Sequence, residues 1–409
     1  MDGVRVGDVV TAQARQLAQQ IGEARAQVEP RGLGGLRPCR EPLHWRRVRH
    51  LEREYKDRSR PSHLCRARDN LTPSREMPDP ALSVLLPARD AAKTLAEALE
   101  GVLAQEGAPP FEVVCVDDGS TDGTSALLAE FGARDPRVRV VRGAGEGLVA
   151  ALRLGLSHCR APLIARMDAD DLVHPSRLRL QFDFLAANPA VGAVGSLVRL
   201  VPGPLTPGLA RLEAWLDACV TAEECALARF VEAPLVHPST TFRKSALDAV
   251  GGFVDRGWAE DWDLLLRLSQ AGYGLAKVPE VLLWWRDSPS RLTRTGPAYR
   301  PAQMILLRAH HLALGPLRGR PFDLWGAGPT GKRLLRALEP HGLRPRRVID
   351  IDPRKQMARG VAITQASQVG PPDGTLLVCA VGAAGARETI RALLEPLGFQ
   401  EGRDFLYAA

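Results

Sequence analysis

The chain alternates short, continuously apolar segments with segments whose apolar residues recur at helical spacing. "LSVLLPA", "FEVVCVD" and "VRVV" have the length of buried strands, and "TLAEALEGVLAQ" and "TSALLAEFG" between them have helical periodicity. A helix in "GLVAALRLGLSHC" and a strand in "APLIARM" extend the pattern. Strands that are apolar on both faces and alternate with helices are typical of a parallel sheet covered on both sides. The predicted fold class is therefore α/β.

Polar side chains follow three of these strands at the point where each strand ends. They are Pro87 to Asp90, then Asp117 and Asp118, and then Asp168, Asp170 and Asp171. The carboxyl ends of parallel strands meet at one edge of a sheet, and ligands of such sheets bind there. The sequence therefore predicts a polar, largely acidic site at this edge.

The stretch "IARMDADDLVHP" concentrates three carboxylates in a few residues. Two like charges about 4 Å apart repel by on the order of 4 kcal/mol near a protein surface, so a cation partner is expected. In an extended stretch Asp168 and Asp170 point the same way. Mg²⁺ and Mn²⁺ prefer oxygen ligands, and Mg²⁺ is often held by one or two carboxylates together with substrate phosphates. The alternative for a lone D-x-D is that these acids only precede the helix that starts in "HPSRL".

Three motifs in order carry a resemblance to a known family. "LSVLLPARD", "FEVVCVDDGSTDGT" and "APLIARMDADDLVHPSRL" together resemble the family-two glycosyltransferases of the GT-A fold. Later segments agree with that resemblance, namely "LVHPSTTFRKSAL", "WAEDWDLLLRLSQAG" and "WWRDSPSRLT". The resemblance covers about residues 81 to 295. It implies a nucleoside diphosphate sugar as the donor substrate and Mg²⁺ or Mn²⁺ as the metal.

The resemblance also implies roles for individual residues around the donor. Pro87 and Asp90 lie beside the nucleotide base, Asp118 binds it and Asp117 lies next to it. Asp168 contacts the ribose or the metal, and Asp170 ligates the ion that bridges the two phosphates, with Asp171 in support. Arg286 and His237 contact the diphosphate or the acceptor. The alternative for His237, which precedes a proline, is a purely structural role.

In "EDWDLLLRL" Asp261 matches the general base of the family, with Glu260 as its catalytic neighbour. Direct displacement with one such base inverts the anomeric centre, because a carboxylate takes the acceptor proton on the face opposite the leaving group. The alternative is that both acids only favour the helix dipole at a helix start, which contributes roughly 0.3–1 kcal/mol.

Two departures from the family pattern limit what the resemblance implies. Arg153 stands where many relatives carry asparagine, and Asp90 stands where relatives often have Asn. The processive "QxxRW" motif and its membrane helices are absent from the sequence. A single hexosyl transfer per acceptor is therefore predicted rather than polymerisation.

A second α/β unit begins near Pro321 with a glycine loop, "GAGPTGKR". A phosphate-binding P-loop needs Ser or Thr after the lysine, and here Arg333 follows. The spacing of Gly326, Gly328 and Gly331, with Asp350 and Asp352 at the next strand end, fits a dinucleotide fingerprint. Two hypotheses stay open for this Rossmann-like unit: NAD or another nucleotide binds there, or the fold serves packing, homodimerisation or partner contact.

Charge and hydropathy narrow the class of protein. The formal net charge is +7, but the excess of arginine lies in residues 1 to 76, so nucleic-acid binding is not expected. No apolar run approaches the roughly 20 residues that span a bilayer. A cytoplasmic chain, peripheral at the inner membrane face in one interpretation, is predicted. The seven cysteines lack a CxxC pair, which favours buried free thiols over zinc or disulfides.

The predicted organisation has four parts. Residues 1–79 form an Arg-rich leader without stable structure, 80–295 a GT-A domain, 296–320 a helical linker, and 321–409 a Rossmann-like domain. Two interpretations of the leader stay open: translation starts at Met77, or a basic arm touches an anionic membrane or polymer.

The predicted function is an inverting, metal-dependent glycosyltransferase. The donor is a UDP-sugar, and the acceptor is a surface polysaccharide, a lipid-linked sugar or a secondary metabolite. One alternative is an inactive nucleotide-binding protein, which would lack an acid that is present here. The other is a bifunctional enzyme with NAD chemistry, which would need a Tyr-x-x-x-Lys pair, although Tyr407 is the one tyrosine after residue 320.

Overall fold

The computed structural model describes residues 78–201, 205–289 and 291–409, which contain two sheets. The strands of the first sheet are β1 (Leu82–Ala88), β2 (Phe111–Asp117), β3 (Val138–Arg142), β4 (Leu163–Arg166), β5 (Leu172–Val173), β6 (Val191–Val201), β7 (Thr241–Arg243) and β8 (Gly274–Arg286). Its helices are α1 (Leu95–Leu103), α2 (Thr124–Arg134), α3 (Leu148–His158), α4 (Arg177–Ala187), α5 (Pro207–Asp217), α6 (Ala222–Ala228), α7 (Lys244–Ala249) and α8 (Glu260–Gln270). The strand order is β3-β2-β1-β4-β7-β6-β8-β5.

The carboxyl ends of β1, β2 and β4 lie side by side at one edge of the first sheet. β1 pairs in parallel with β2, with Ala88 opposite Asp117, and with β4, with Leu85 opposite Arg166. Every residue of β1 and β2 is buried. Helix α3 approaches closely, since a Cβ on Gly155 would lie 2.2 Å from Leu85 Cδ1. The α/β prediction and the predicted polar edge are both confirmed.

The other half of the first sheet, made of β5, β6, β7 and β8, has no counterpart among the strands predicted from the sequence. β7 is antiparallel to β4 and β6, while β6 runs parallel to β8 with an irregular register. The short strand β5 pairs with the end of β8, where Leu172 lies opposite Trp284. This pairing carries Arg286, the last residue of β8, to the segment that directly follows the three aspartates.

The second sheet consists of β9 (Phe322–Trp325), β10 (Val348–Asp350), β11 (Met357–Ala358), β12 (Val361–Gln365), β13 (Leu376–Cys379) and β14 (Phe405–Tyr407). Its order is β11-β12-β10-β9-β13-β14, and all pairs except β11 with β12 are parallel. The five parallel strands therefore lie in the order third, second, first, fourth, fifth. That is the order of a doubly wound nucleotide-binding sheet, in agreement with the predicted Rossmann-like topology.

Two helices and a connecting segment complete the second half of the chain. Helices α11 (Pro329–Leu338) and α12 (Ala386–Leu394) belong to the second sheet, while α9 (Leu292–Thr295), a 3₁₀ turn (Pro297–Tyr299) and α10 (Pro301–Leu314) connect the two sheets. Leu307 and Leu312 of α10 pack in one apolar cluster with Trp262 of α8 and Leu324 of β9. The described residues belong to one compact unit, and the predicted boundaries at residues 295 and 320 stay predictions.

Three further sequence predictions concern the leader, membrane-spanning helices and the cysteines. Residues 1–77 of the predicted leader, including the proposed start at Met77, lie outside the described residues. Within the described part of the chain, no helix has both the length and the apolarity needed to cross a bilayer. Cys115, Cys159, Cys219, Cys225 and Cys379 are buried free thiols, as predicted.

Candidate active site

The three aspartates lie in a turn between β4 and β5. The expectation of an extended stretch is wrong here, because residues 169 and 170 form a tight turn. The turn nevertheless brings Asp168, Asp170 and Asp171 together, and one carboxylate oxygen of each lies within 4.8 Å of the others. We call this segment, Asp168 to Asp171, the acidic turn.

The acidic turn concentrates negative charge that its surroundings compensate only in part. Burial raises the pKa of Asp170, and the charge of Asp168 adds to this effect. Asp171 is buried, and burial together with the charges of Asp168 and Asp170 raises its pKa well above the usual range. The Oδ2 atom of Asp171 is buried and has no hydrogen-bond partner. A hard divalent cation at this turn would be held by oxygen ligands of the type it prefers, so the residues fit such an ion.

Arg166 is the buried cation of the site. It is the last residue of β4, it is 2% exposed, and it forms an ion pair with Asp168. Burial disfavours its charge, but Asp168, Glu260 and Asp171 outweigh that effect and raise its pKa. The side chain therefore stays charged between the acidic turn and the start of α8.

A second arginine, Arg177, supports the acidic turn from within the protein, and sequence reasoning missed it. Its Nη2 donates to the carbonyl oxygen of Arg166 at 2.7 Å, and its Nε donates to Gln181 at 3.1 Å. The side chain is 1% exposed, and burial lowers its pKa to about 9. The sequence signal lies in "HPSRL", where Arg177 looks like an ordinary residue of a helix start.

Arg286, which the sequence suggests as a contact of the diphosphate or the acceptor, lies beside the acidic turn. Its backbone N–H donates to Asp171 Oδ1 at 2.8 Å, and its Nη1 donates to the carbonyl oxygen of Asp170 at 3.1 Å. The other end of the guanidinium forms an ion pair with Glu97. Arg291 lies nearby, stacked 3.9 Å from the ring centroid of Trp285, and its charge lowers the pKa of Asp170. Arg291 is a second site residue that sequence reasoning missed.

Asp117 and Asp118 follow β2 and are used mainly to shape loops. Asp117 accepts hydrogen bonds from the backbone of Ser120 at 3.0 Å and from the hydroxyl of Ser125. These hydrogen bonds overcome the effect of burial and lower its pKa. Asp118 accepts from the backbone N–H of Gly147 at 2.9 Å. Both acids lie at the predicted edge of the sheet, but the carboxylate of Asp117 already accepts hydrogen bonds from residues of the loop and helix that follow it.

Pro87 and Asp90 lie at the end of the first strand, as predicted. Pro87 is a residue of β1 and lies opposite Val116. Asp90 adopts a positive φ of 49°, and its carboxylate accepts from the backbone N–H of Thr121 at 2.7 Å. Asp90 thus connects the loops after β1 and β2 rather than projecting alone toward a ligand.

The predicted general base, Asp261, and its acidic neighbour, Glu260, lie in the first turn of α8. Glu260 is 4% exposed, and burial together with the charge of Asp261 raises its pKa to about 7. The hydroxyl of Tyr299 donates to Glu260 Oε2 at 2.6 Å. Asp261 is partly exposed, and burial raises its pKa while the charge of Arg166 lowers it. Tyr299 lies in the predicted linker and had no local sequence signal.

His237 lies behind Glu260, with its Nδ1 3.8 Å from Glu260 Oε1. Its ring packs against Phe242 and Phe253, with centroid distances of 6.2 and 5.6 Å. Burial and the charge of Arg166 hold its pKa well below the usual range. His237 is therefore a neutral side chain at neutral pH, packed mainly among aromatic rings.

The glycine loop belongs to the second sheet and is shaped by close backbone packing. Gly326 has a φ of 122°, and a Cβ on Gly331 would lie 1.9 Å from the Gly326 carbonyl oxygen. A Cβ on Gly328 would meet no atom within 4 Å. Asp350 accepts from the backbone of Ala327 at 2.7 Å and pairs with Lys355 at 3.1 Å. The acid expected to bind a ribose is thus already paired within the protein.

Comparison with known proteins gives relatives of one kind. Residues 83–250 match the family model described as Glycosyl transferase family 2. EpsE of Bacillus subtilis is 28% identical over 233 residues, covering 56% of this chain and 81% of EpsE. The amylovoran biosynthesis glycosyltransferase AmsE of Erwinia amylovora is 27% identical over 48% of this chain and 73% of its own length. The succinoglycan biosynthesis protein ExoO of Rhizobium meliloti is 40% identical over 29% of this chain and 33% of ExoO.

Two solved structures are similar at lower identity. TarS of S. aureus in complex with UDP-GlcNAc is 16% identical, with a TM-score of 0.47 over 65% of this chain and 73% of that one. The mannosyltransferase PcManGT from Pyrobaculum calidifontis, in complex with GDP-Man and Mn²⁺, is 22% identical, with a TM-score of 0.42 over 65% of this chain and 69% of that one.

The α/β architecture, the acids at the sheet edge and the family match define an enzyme that transfers a glycosyl group. Residues 83–250 match a family 2 glycosyl transferase model, and the chain is a glycosyltransferase. The matched region ends at residue 250, so Glu260 and Asp261 lie beyond it.

Proposed function

We propose that the protein transfers one sugar from a nucleoside diphosphate donor to a hydroxyl acceptor, with inversion at the anomeric carbon. The observation that carries this proposal is that two clusters of carboxylates interact with the same buried cation, Arg166. Arg166 interacts with Asp168 and Asp171 of the acidic turn and with Glu260 of the first turn of α8. A donor phosphate group and an acceptor hydroxyl need different partners, and these two groups of acids supply them.

The acidic turn holds the donor end of the reaction. Asp168 and Asp170 would hold a divalent ion, Mg²⁺ or Mn²⁺, and such an ion would stabilise the charge that develops on the leaving diphosphate. Asp171 accepts from the Arg286 backbone at 2.8 Å, which orients the turn. Arg286 and Arg291 place two guanidinium groups beside the acids, where a diphosphate would receive charge-assisted hydrogen bonds.

Asp261 takes the proton of the acceptor hydroxyl as the sugar is transferred. It is partly exposed, so an acceptor can approach it, whereas Glu260 is buried and bound to Tyr299. Burial raises the pKa of Asp261, and this makes it a stronger base than an ordinary aspartate. Transfer requires no covalent intermediate when one base acts opposite the leaving group, and the product is inverted.

For the donor we propose a UDP-sugar, because such donors are common among the proteins this chain resembles. For the acceptor we propose a growing polysaccharide. The names of AmsE and ExoO, which mention amylovoran and succinoglycan biosynthesis, support this class of acceptor. A cytoplasmic location, peripheral membrane contact and homodimerisation through the second sheet stay predictions.

The first test is thermal unfolding of the protein against UDP-, GDP-, TDP- and CMP-sugars, with Mn²⁺ or with chelator. A ligand at a hundredfold excess over its Kd stabilises the folded state by about 2.7 kcal/mol. We expect a shift with one nucleotide class, and we expect chelation to abolish it. The same shift in chelator would contradict the role given to the metal.

Two variants test the residue assignments in the same preparation. Asp170→Ala should abolish the Mn²⁺-dependent shift, whereas the control Asp183→Ala, at an exposed position of α4, should preserve it. Asp261→Asn should bind donor normally but lower transfer by roughly 10²- to 10⁴-fold. Full transfer by Asp261→Asn would show that another residue is the base.

Nucleotide binding by the second sheet is a separate prediction. The order of its strands favours it, and the pairing of Asp350 with Lys355 opposes binding of a ribose. Thermal unfolding of the full chain with NAD tests it directly: a stabilising shift that survives Asp170→Ala would place a nucleotide outside the acidic turn.

A further inference from the structure

The segment after the transferase domain reaches back to the helix that carries the proposed base. Tyr299, at the end of the 3₁₀ turn, donates its hydroxyl to Glu260 Oε2 at 2.6 Å. Tyr299 is half-buried, and burial with the charges of Asp261 and Glu260 raises its pKa. The phenol therefore remains protonated and acts as a donor. Glu260 is the residue immediately before the proposed base.

The same segment contacts α8 a second time through a buried histidine. His311, on α10, is 1% exposed. Its Nε2 lies 3.0 Å from Asp263 Oδ1, and its Nδ1 lies 3.1 Å from Gln270 Oε1. Asp263 lies in the first turn of α8 and Gln270 is its last residue, so His311 contacts side chains from both ends of that helix.

Hydrogen bonds fix the orientation of the His311 ring. The Nε2 of Gln270 donates to the backbone carbonyl of His311 at 2.9 Å, which orients the amide oxygen toward Nδ1. Asp263 is ionised, because hydrogen bonds from His311 and Trp258 outweigh burial and lower its pKa to about 2. The two ring nitrogens of His311 therefore face the Asp263 carboxylate and the Gln270 amide oxygen.

Other charged groups around Asp263 do not replace this contact. Arg267 Nε donates to Asp263 Oδ2 at 2.7 Å, but it lies on α8 itself. Arg256 lies 3.8 Å away and is on the loop before α8. His311 is thus the hydrogen-bonding partner of Asp263 that comes from α10, and α10 also packs in one core with the second sheet.

We propose that the segment Pro297–Leu314 is a positioning element of the active site, in which Tyr299 and His311 hold the two ends of the base helix. This proposal rests on the assignment of Asp261 as the base. The first turn of α8 then takes its place relative to the acidic turn only when the connecting segment is docked. Tyr299 and His311 are positioning residues and do not touch the reacting atoms.

Tyr299→Phe tests the first contact with little change in volume. The matched control is Tyr273→Phe, whose ring packs against Gly192 beyond the other end of α8. The assay follows release of UDP or GDP from UDP-GlcNAc, UDP-glucose, UDP-galactose or GDP-mannose with Mn²⁺ present, and donor binding is titrated separately. Loss of this hydrogen bond frees the first turn of α8 to shift, and we expect kcat to fall by roughly tenfold, with donor affinity within about twofold of the original.

Asp261→Asn in the same assay tests the base assignment separately from the positioning role of Tyr299. If Asp261→Asn is inactive and Tyr299→Phe has unchanged kcat, the positioning role is wrong while the base assignment stands. If Asp261→Asn retains activity, the base assignment itself is wrong. Equal losses in kcat and donor affinity in Tyr299→Phe would indicate general structural damage and would also overturn the positioning role.

The His311 contact has its own test in the same assay. His311→Gln should lower kcat, while donor affinity stays within about twofold of the original. An unchanged kcat in His311→Gln would refute the role of His311, whether or not the Tyr299→Phe variant is stable.

Discussion

Glu260 should destabilise the folded protein above neutral pH, and Glu260→Gln should remove that cost. The side chain is buried, and its pKa rises from 4.5 to about 7 because burial and the charge of Asp261 both oppose its ionisation. Each pKa unit corresponds to about 1.4 kcal/mol, so the cost of ionising Glu260 in the folded state approaches about 3 kcal/mol.

The sign of the effect depends on proton binding. Between pH 4.5 and 7 the folded chain holds a proton on Glu260 that the unfolded chain has released. Stability therefore falls as pH rises through this window, and the full cost is present above it. Glutamine has nearly the same shape, can accept from Tyr299, and carries no titratable group. Its advantage over glutamate should be small at pH 5 and largest at pH 8.

The assay is thermal unfolding of both proteins at pH 5 and pH 8 in chelator. About 3 kcal/mol in a unit of this size corresponds to roughly 4 °C in Tm, and the gain should appear at pH 8. Glu223→Gln, on the exposed side of α6, is the control and should show no such pH dependence. A Tm difference for Glu260→Gln that is the same at both pH values would refute the assignment of the raised pKa to Glu260.

Three further predictions concern the rest of the molecule. Glu112→Gln removes a buried carboxylate that pairs with two arginines, and it should destabilise the folded protein by about 3 kcal/mol at pH 7. Because the pKa of Glu112 is lowered in the folded protein, the difference in unfolding free energy between variant and original should shrink as pH falls below about 4. Gly331→Ala should cost about 1–3 kcal/mol or more in chemical denaturation, whereas Gly328→Ala, with open space at its Cβ, should cost less than about 1 kcal/mol. Mn²⁺ affinity, measured by calorimetry, should rise from pH 5 to pH 8, because Asp170 and Asp171 have raised pKa values and must release protons to bind the ion; a pH-independent Kd would contradict this.

The predictable part of the fold is the part in which local pattern and tertiary environment agree. β1, β2 and β4 are buried on both faces, so their sequences are continuously apolar and easily recognised. β6 and β8 are the longest strands of the first sheet, yet they pair across a gap of more than seventy residues with shifts in register. Nothing local encodes such a pairing, and the sequence pattern therefore leaves that half undetermined.

The site shows the same division between residues adjacent to a strand and residues brought in from distant parts of the chain. The acidic turn was predictable, because Asp168 to Asp171 come directly after a recognisable strand. Arg177 and Tyr299 were not, because their roles depend on a backbone carbonyl and on a carboxylate that lie elsewhere in the chain. A buried arginine and a lone tyrosine look like surface residues in the sequence until the partner is known.

The charges at the site explain why stability and chemistry oppose each other here. The acidic turn and the start of α8 place five carboxylates around one buried guanidinium, that of Arg166. Burial raises the pKa of four of these acids, namely Asp170, Asp171, Glu260 and Asp261. Without bound ligands the arrangement is therefore unfavourable at neutral pH, and any cation that enters the acidic turn relieves part of the repulsion. A site organised in this way gains more binding free energy from a metal-bound diphosphate than a site without charges would. In the free protein, the repulsion between the acids is smallest when protons are bound to them. The folded state and the charged donor complex are thus stabilised by opposite changes in pH, which is why metal affinity and the stability of the free protein should move in opposite directions as pH rises from 5 to 8.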